Sequence, residues 1–216
     1  MFKNVFFDLD GTLTDSAEGI INSVEYALKR LGITVYKRSE LYKFIGPPLS
    51  DSFAEFFGLS EEKCKEGVRL YREYFSEKGI YENKLYDGIQ DLLEKTKAAG
   101  MTLVLATSKP QEFAEEILRY FDIAKYFDFI AAAEMNGKRN RKQDIINYAL
   151  EISGVKRNET VMVGDRKFDV LGAKSVGVAS IGVLYGFGTE EELKEAGADH
   201  IAKTPEEVFE LLIYAE

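Results

Sequence analysis

Tryptophan is absent from this chain, and cysteine and histidine occur once each, as Cys64 and His200. A lone cysteine forms no internal disulfide, which excludes a small secreted scaffold held by cross-links. A catalytic cysteine–histidine pair would have to use both single copies. Cations are in the minority: 28 Lys and Arg face 37 Asp and Glu, a net charge of −9. Phosphate backbones are bound by clustered cations, which argues against a protein built to coat nucleic acid. A small phosphate in a locally positive pocket is still allowed. No stretch reaches the roughly 18 uninterrupted apolar residues of a membrane span. The segment Met1 to Asp10 carries charges within its apolar run and lacks a small-residue cleavage site, so it does not read as a signal peptide. The expectation is a soluble cytoplasmic protein that partners neither nucleic acid nor membrane.

What is present is apolar material in quantity. Of 216 residues, 45% are hydrophobic and 12% aromatic, with 15 Phe and 12 Tyr, enough for a real core and too much for a disordered chain. Short runs rich in Val, Ile and Phe recur at Val5-Phe6-Phe7, Met101 to Ala106, Phe127 to Ala131, Thr160 to Val163 and Val178 to Val183, with a weaker one at His200-Ile201-Ala202. Each is followed by a polar or glycine-containing turn and then a helical pattern. That alternation predicts an α/β fold, a parallel sheet covered by helices on both faces. Thr189 with Glu192 and Thr204 with Glu207 have capping-box spacing, and Pro205 stands at a first helical position. From about Asp15 to Asn83 there are only helical patterns, with stripes at Ile20, Val24, Ala27, Leu28 and Leu31, at Leu49, Phe53 and Phe56, and at Cys64, Val68, Tyr71 and Phe75. This block reads as an inserted helical module.

Four strand ends carry chemistry. Asp8 and Asp10 end the first strand in Phe6-Phe7-Asp8-Leu9-Asp10-Gly11-Thr12-Leu13-Thr14-Asp15. Carboxylates crowded at a dry strand end repel one another, and a divalent cation with oxygen ligands, Mg²⁺ by preference, relieves the cost. Asp165 and Asp169 follow the fourth strand, and their spacing of four predicts one face of a starting helix. Thr107 and Ser108, ahead of Pro110, end the second strand and offer donors to an anion. Lys142 heads the helix after the third strand, where an ammonium neutralises a phosphate; Lys138 is its rival. Taken singly, each of these also reads as a polar turn or a helix cap.

In this order the four elements resemble the haloacid dehalogenase-like hydrolase superfamily, and within it the phosphoglycolate phosphatase branch, over essentially the whole chain. The resemblance implies a Rossmann-like three-layer core from residues 1–14 and 84–216 and a helical cap from 15–83. It implies phosphoryl transfer in two steps from a small phosphorylated metabolite, of phosphoglycolate or 5'-nucleotide type. Asp8 would be the nucleophile and Asp10 the acid and base. Asp8, the Asp10 backbone carbonyl and Asp165 would hold Mg²⁺, with Asp169 as a close partner, and Thr107, the Ser108 N–H and Lys142 would cradle the phosphate. Gly46, Pro47, Pro48, Glu18 and Arg72 are cap-side candidates for selecting the leaving group. A phosphosugar mutase would share the Asp8 chemistry but return the phosphoryl group. A dehalogenase normally lacks the second acid, Asp10. A phosphoacceptor receiver carries its aspartate on a middle strand. Lys138 to Lys142 reads as an exposed basic turn, His200 as structural and Cys64 as packing.

Overall fold

The computed structural model describes residues 2–214; Met1, Ala215 and Glu216, the ends of the expected core segments, lie outside the described residues. In chain order the elements are β1 (Asn4–Phe7), β2 (Thr14–Asp15), α1 (Ala17–Arg30), α2 (Leu49–Phe57), α3 (Glu61–Tyr74), β3 (Lys84–Leu85), α4 (Ile89–Ala98), β4 (Thr102–Pro110) and α5 (Gln111–Tyr120). There follow β5 (Phe129–Ala133), α6 (Lys142–Ser153), β6 (Thr160–Gly164), α7 (Lys167–Ser175), β7 (Ala179–Val183), α8 (Glu190–Ala196), β8 (His200–Ala202) and α9 (Pro205–Tyr214). The chain divides into two compact units, one of residues 1–14 and 85–216, the other Asp15–Lys84. No described helix is long and apolar enough to cross a membrane.

The first unit is built on six parallel strands in the order β5-β4-β1-β6-β7-β8. β1 is buried at every residue, as a strand covered on both faces must be. Its side chains alternate. Phe6 shares a core cluster with Val104 and Met162 of the adjacent strands, Ala131 of β5, Ile145, Ile146 and Ala149 of α6 and Ala173 of α7. Val5 and Phe7 point the other way and are equally buried, in register with Leu103 and Leu105 on one side and Val161 and Val163 on the other. α4 lies against β4, and α9 lies against α4 and β8. The result is a three-layer, Rossmann-like α/β fold. The expected capping boxes form in part: Thr189 and Thr204 accept the N–H groups of Glu192 and Glu207, while the glutamate carboxylates turn to the N–H groups of Lys167 and Lys203 instead.

The second unit is helical. α1 leads to α2 through a 3₁₀ segment, Arg38–Phe44, and α3, which follows α2, runs into a π turn, Phe75–Gly79. Periodicity gives no sign of either, because both keep apolar residues near helical spacing. Phe44 is the hub of an aromatic cluster, with ring centroids 5.1 Å from Phe53, 5.4 Å from Phe56 and 6.0 Å from Phe57. Truncating so buried a ring leaves a cavity, so Phe44→Ala is expected to cost about 3–5 kcal/mol in unfolding free energy. A denaturation midpoint equal to wild type would show that the cluster is not a core.

Candidate active site

From β1 the strand order runs outward in both directions, and in such sheets the crevice beyond the carboxyl ends at this reversal is the place for a ligand. Asp8 directly follows β1, and its N–H donates to the Val163 carbonyl (3.0 Å), extending the ladder by one residue. Beyond it the chain coils around the Leu9 carbonyl, which accepts from the N–H groups of Thr12, Leu13 and Thr14. Gly11 makes this coil possible. Its φ is +85°, and a Cβ there would lie 2.2 Å from an Asp165 oxygen.

Asp165 leaves the end of β6 and is fully buried. One of its oxygens accepts from the Phe187 N–H at 2.8 Å, in the loop after β7. The other oxygen has no hydrogen-bond partner among the described residues. The loop reaches Asp165 because Gly186 and Gly188 have no side chain: a Cβ on Gly188 would lie 1.9 Å from the Asp165 carbonyl. Asp169 does not share a helical face with Asp165, as spacing alone suggested. α7 starts only at Lys167, so Asp165 precedes the helix, and Asp169 folds back to accept from the Arg166 N–H at 3.2 Å. Gly164 leaves the room for that fold, since a Cβ there would stand 2.2 Å from the Asp169 carboxyl carbon.

Asp8, Asp165 and Asp169 are thereby gathered, each offering an oxygen within 4.8 Å of the others, all buried. Lys142, the first residue of α6, lies between two of them. Its ammonium contacts Asp8 at 2.8 Å and Asp169 at 2.7 Å and donates to the Ala106 carbonyl at 3.1 Å. Gly172 on α7 clears the path of its stem; a Cβ there would come within 2.9 Å of Lys142 Cγ. Lys138 stays exposed on the preceding turn, its N–H bonded to the Asn136 side chain.

The electrostatics follow from this crowding. Burial pushes the Asp8 carboxyl up to about 6, with Lys142 opposing the rise and Asp169 adding to it. Burial, then the Asp169 charge, holds Asp165 well above the usual carboxylate range. Lys142 is shifted upward: burial works against its charge, and Asp169 and Asp8 outweigh that. Counted as ionised, three carboxylates against one ammonium would leave an excess of two negative charges in a dry site. An all-oxygen donor set with that excess, and one buried oxygen left without a partner, fits a hard divalent cation such as Mg²⁺.

Asp10 pairs with a second cation, and its charge stands near enough to Asp8 to add to that group's rise. Its two carboxylate oxygens lie 2.9 and 2.7 Å from the ammonium of Lys109, a residue that sequence reading passed over. Lys109 is buried at 8% exposure near the end of β4. Its N–H donates to Thr107 Oγ1 (3.2 Å), and Thr107 is buried while Ser108 is half-buried. The signal was available: strand alternation puts residues 107 and 109 on one face. Cys64 is a free, buried thiol on α3 whose pKa burial raises, as packing requires.

Known proteins are similar to this chain over nearly its whole length. The 5'-nucleotidase of Pseudomonas aeruginosa is 46% identical over 92% of this chain and 90% of its own. The tyrosine-protein kinase PtkA of Mycobacterium tuberculosis is 40% identical over 93% of this chain, which spans 65% of PtkA. A crystal structure of a predicted phosphatase from Clostridium acetobutylicum, 48% identical, covers 99% of both chains with a TM-score of 0.96. The model of the haloacid dehalogenase-like hydrolase family matches residues 5–183, from β1 through β7, and so takes in the whole acidic cluster. This chain belongs to that family and is an enzyme, a haloacid dehalogenase-like hydrolase.

Proposed function

We propose that this hydrolase is a Mg²⁺-dependent phosphatase that acts on a small phosphomonoester of 5'-nucleotide or phosphoglycolate type. The observation that carries the reading is the buried cluster of Asp8, Asp165 and Asp169 interlocked with Lys142 beyond the sheet. The name of the 5'-nucleotidase relative supports the nucleotide as the first substrate to try.

In this reading an Asp8 oxygen attacks phosphorus, the bond to the leaving oxygen breaks, and Asp10 gives that oxygen its proton. Water then attacks the aspartyl-phosphate at phosphorus, its proton passes to Asp10, and Asp8 is freed. Asp8, Asp165, Asp169 and the Asp10 backbone carbonyl would hold the Mg²⁺, which when bound offsets the repulsion between Asp8 and an anionic phosphoryl group. Thr107, the Ser108 N–H and Lys142 serve as donors to the phosphoryl oxygens. The Lys142 ammonium already contacts Asp8 and Asp169 and donates to the Ala106 carbonyl, so a phosphoryl oxygen reaches it by displacing one of these contacts. The helical unit Asp15–Lys84 is the proposed carrier of leaving-group selectivity, with Glu18 and Arg72 among its candidates. The single unpaired cysteine suits a reducing, cytoplasmic setting.

A panel of nucleoside monophosphates, phosphoglycolate, pyrophosphate and sugar phosphates, assayed for free phosphate with Mg²⁺, tests this. Phosphate is expected in equal amount to the dephosphorylated product. Chelation of the metal should silence the enzyme and added Mg²⁺ should restore it. Isomer formation without free phosphate would make the protein a mutase, phosphoryl transfer to a tyrosine would make it a kinase, and phosphorylation without turnover would make it a receiver. Full activity in the chelator would remove the metal from the reading.

A further inference from the structure

Lys109 is a buried cation that the two-step scheme does not use. An ammonium on a flexible stem is strongly hydrated, and burying it is costly unless it is paired. Here the pairing is specific: one ammonium takes both oxygens of Asp10, at 2.7 and 2.9 Å. The strand holds the lysine in turn. The β4–β5 register shifts between Thr107 and Pro110, and the Lys109 N–H is tied to Thr107 Oγ1. Asp10, by contrast, sits on the coil after β1, followed at once by the left-handed Gly11. Its backbone alone does not choose a direction for the carboxylate.

We propose that Lys109 is a positioning residue, fixing the Asp10 carboxylate in the one orientation from which it takes a proton from the attacking water. The inference rests on the acid–base reading of Asp10. In the step concerned, the water oxygen bonds to phosphorus and the bond from phosphorus to the Asp8 oxygen breaks. The proton of the water passes to Asp10, which leaves inorganic phosphate and a free Asp8 carboxylate. A carboxylate turned away from the water slows this step without weakening substrate binding, because reach and alignment decide proton transfer.

p-Nitrophenyl phosphate tests the idea, because its leaving group needs no proton and the first step survives a fault at Asp10. With the full Mg²⁺-loaded enzyme, Lys109→Met is expected to show a burst of about one nitrophenol per active site. A steady rate about 10- to 100-fold below wild type should follow, the loss that a misplaced group produces. KM should fall with kcat, and phosphoenzyme should accumulate. Lys109→Arg should recover much of the rate, since a guanidinium also takes both oxygens of a carboxylate. Lys109→Gln replaces the methionine variant if that one does not fold. A slowed first step with no burst, or a raised KM at unchanged kcat, overturns the proposal; the second result would make Lys109 a substrate ligand. Asp10→Asn is the reference. If it traps phosphoenzyme and Lys109→Met does not, the inference alone fails. If it turns over like wild type, the acid–base reading of Asp10 fails and takes the inference with it.

Discussion

Asp8→Asn is expected to abolish phosphatase turnover, by on the order of 10⁶-fold if Asp8 is the nucleophile of a covalent hydrolase. An amide has nearly the shape of the carboxylate but is not a nucleophile at neutral pH. The variant should fold. Its side chain fills the same space at the end of β1, and the Asp8 N–H bond to Val163 is a backbone bond that the change leaves alone. Stability in the metal-free protein should move against the usual direction for a lost ion pair. Because burial raises the Asp8 carboxyl to about 6, the folded chain holds that proton more readily than the unfolded chain does. The contribution of Asp8 to stability is therefore fully present below the unfolded value of 3.8 and is lost as pH rises through about 6. At pH 8 the metal-free Asp8→Asn protein should melt no lower than metal-free wild type. Turnover within tenfold of wild type would overturn the nucleophile assignment, and a much lower melting temperature would show that Asp8 is chiefly structural.

The second large effect is expected far along the chain, at Gly186. A Cβ there would lie 2.2 Å from the Gly11 carbonyl oxygen and 2.4 Å from Asp165 Cβ. Both obstacles belong to the packed floor of the site, and neither is the free end of a flexible side chain. Gly186→Ala must displace the loop, and with it the Phe187 N–H that holds one Asp165 oxygen. Overpacking of this kind typically costs about 1–3 kcal/mol. Loss of a group that orients a metal ligand typically weakens metal binding by about 10- to 100-fold. Thermal unfolding and a calorimetric Mg²⁺ titration measure the two effects separately. Unchanged Mg²⁺ affinity would mean that the loop packs on Asp165 without directing it.

These two positions mark where sequence is legible and where it is not. Apolar runs bounded by turns identify the strands of the six-stranded sheet, because a strand buried on both faces has no polar face to disguise it. Strand-end aspartates stand out for the same reason: polar residues break an apolar run at the one place where a ligand crevice opens. What joins strand ends to one another is harder to read. Gly186 and Gly188 lie in the loop after β7, and their closeness to Asp165 exists only after β6 and β7 pair. Lys109 stands in a stretch where a hydroxyl pair and a proline draw the eye, and its partner Asp10 is 99 positions away. The four-residue spacing of Asp165 and Asp169 predicts a shared helical face, but the helix starts two residues after Asp165. The carboxylates meet through a fold-back over Gly164 instead.

The most direct measurement is an acid quench of the Mg²⁺-loaded enzyme during turnover, followed by mass spectrometry of its peptides. Asp8 alone should carry a phosphoryl group, absent when Mg²⁺ is withheld and absent in Asp8→Asn. A phosphoryl group on any other residue, or rapid phosphate release with Asp8 never modified, would contradict a nucleophile at the end of β1.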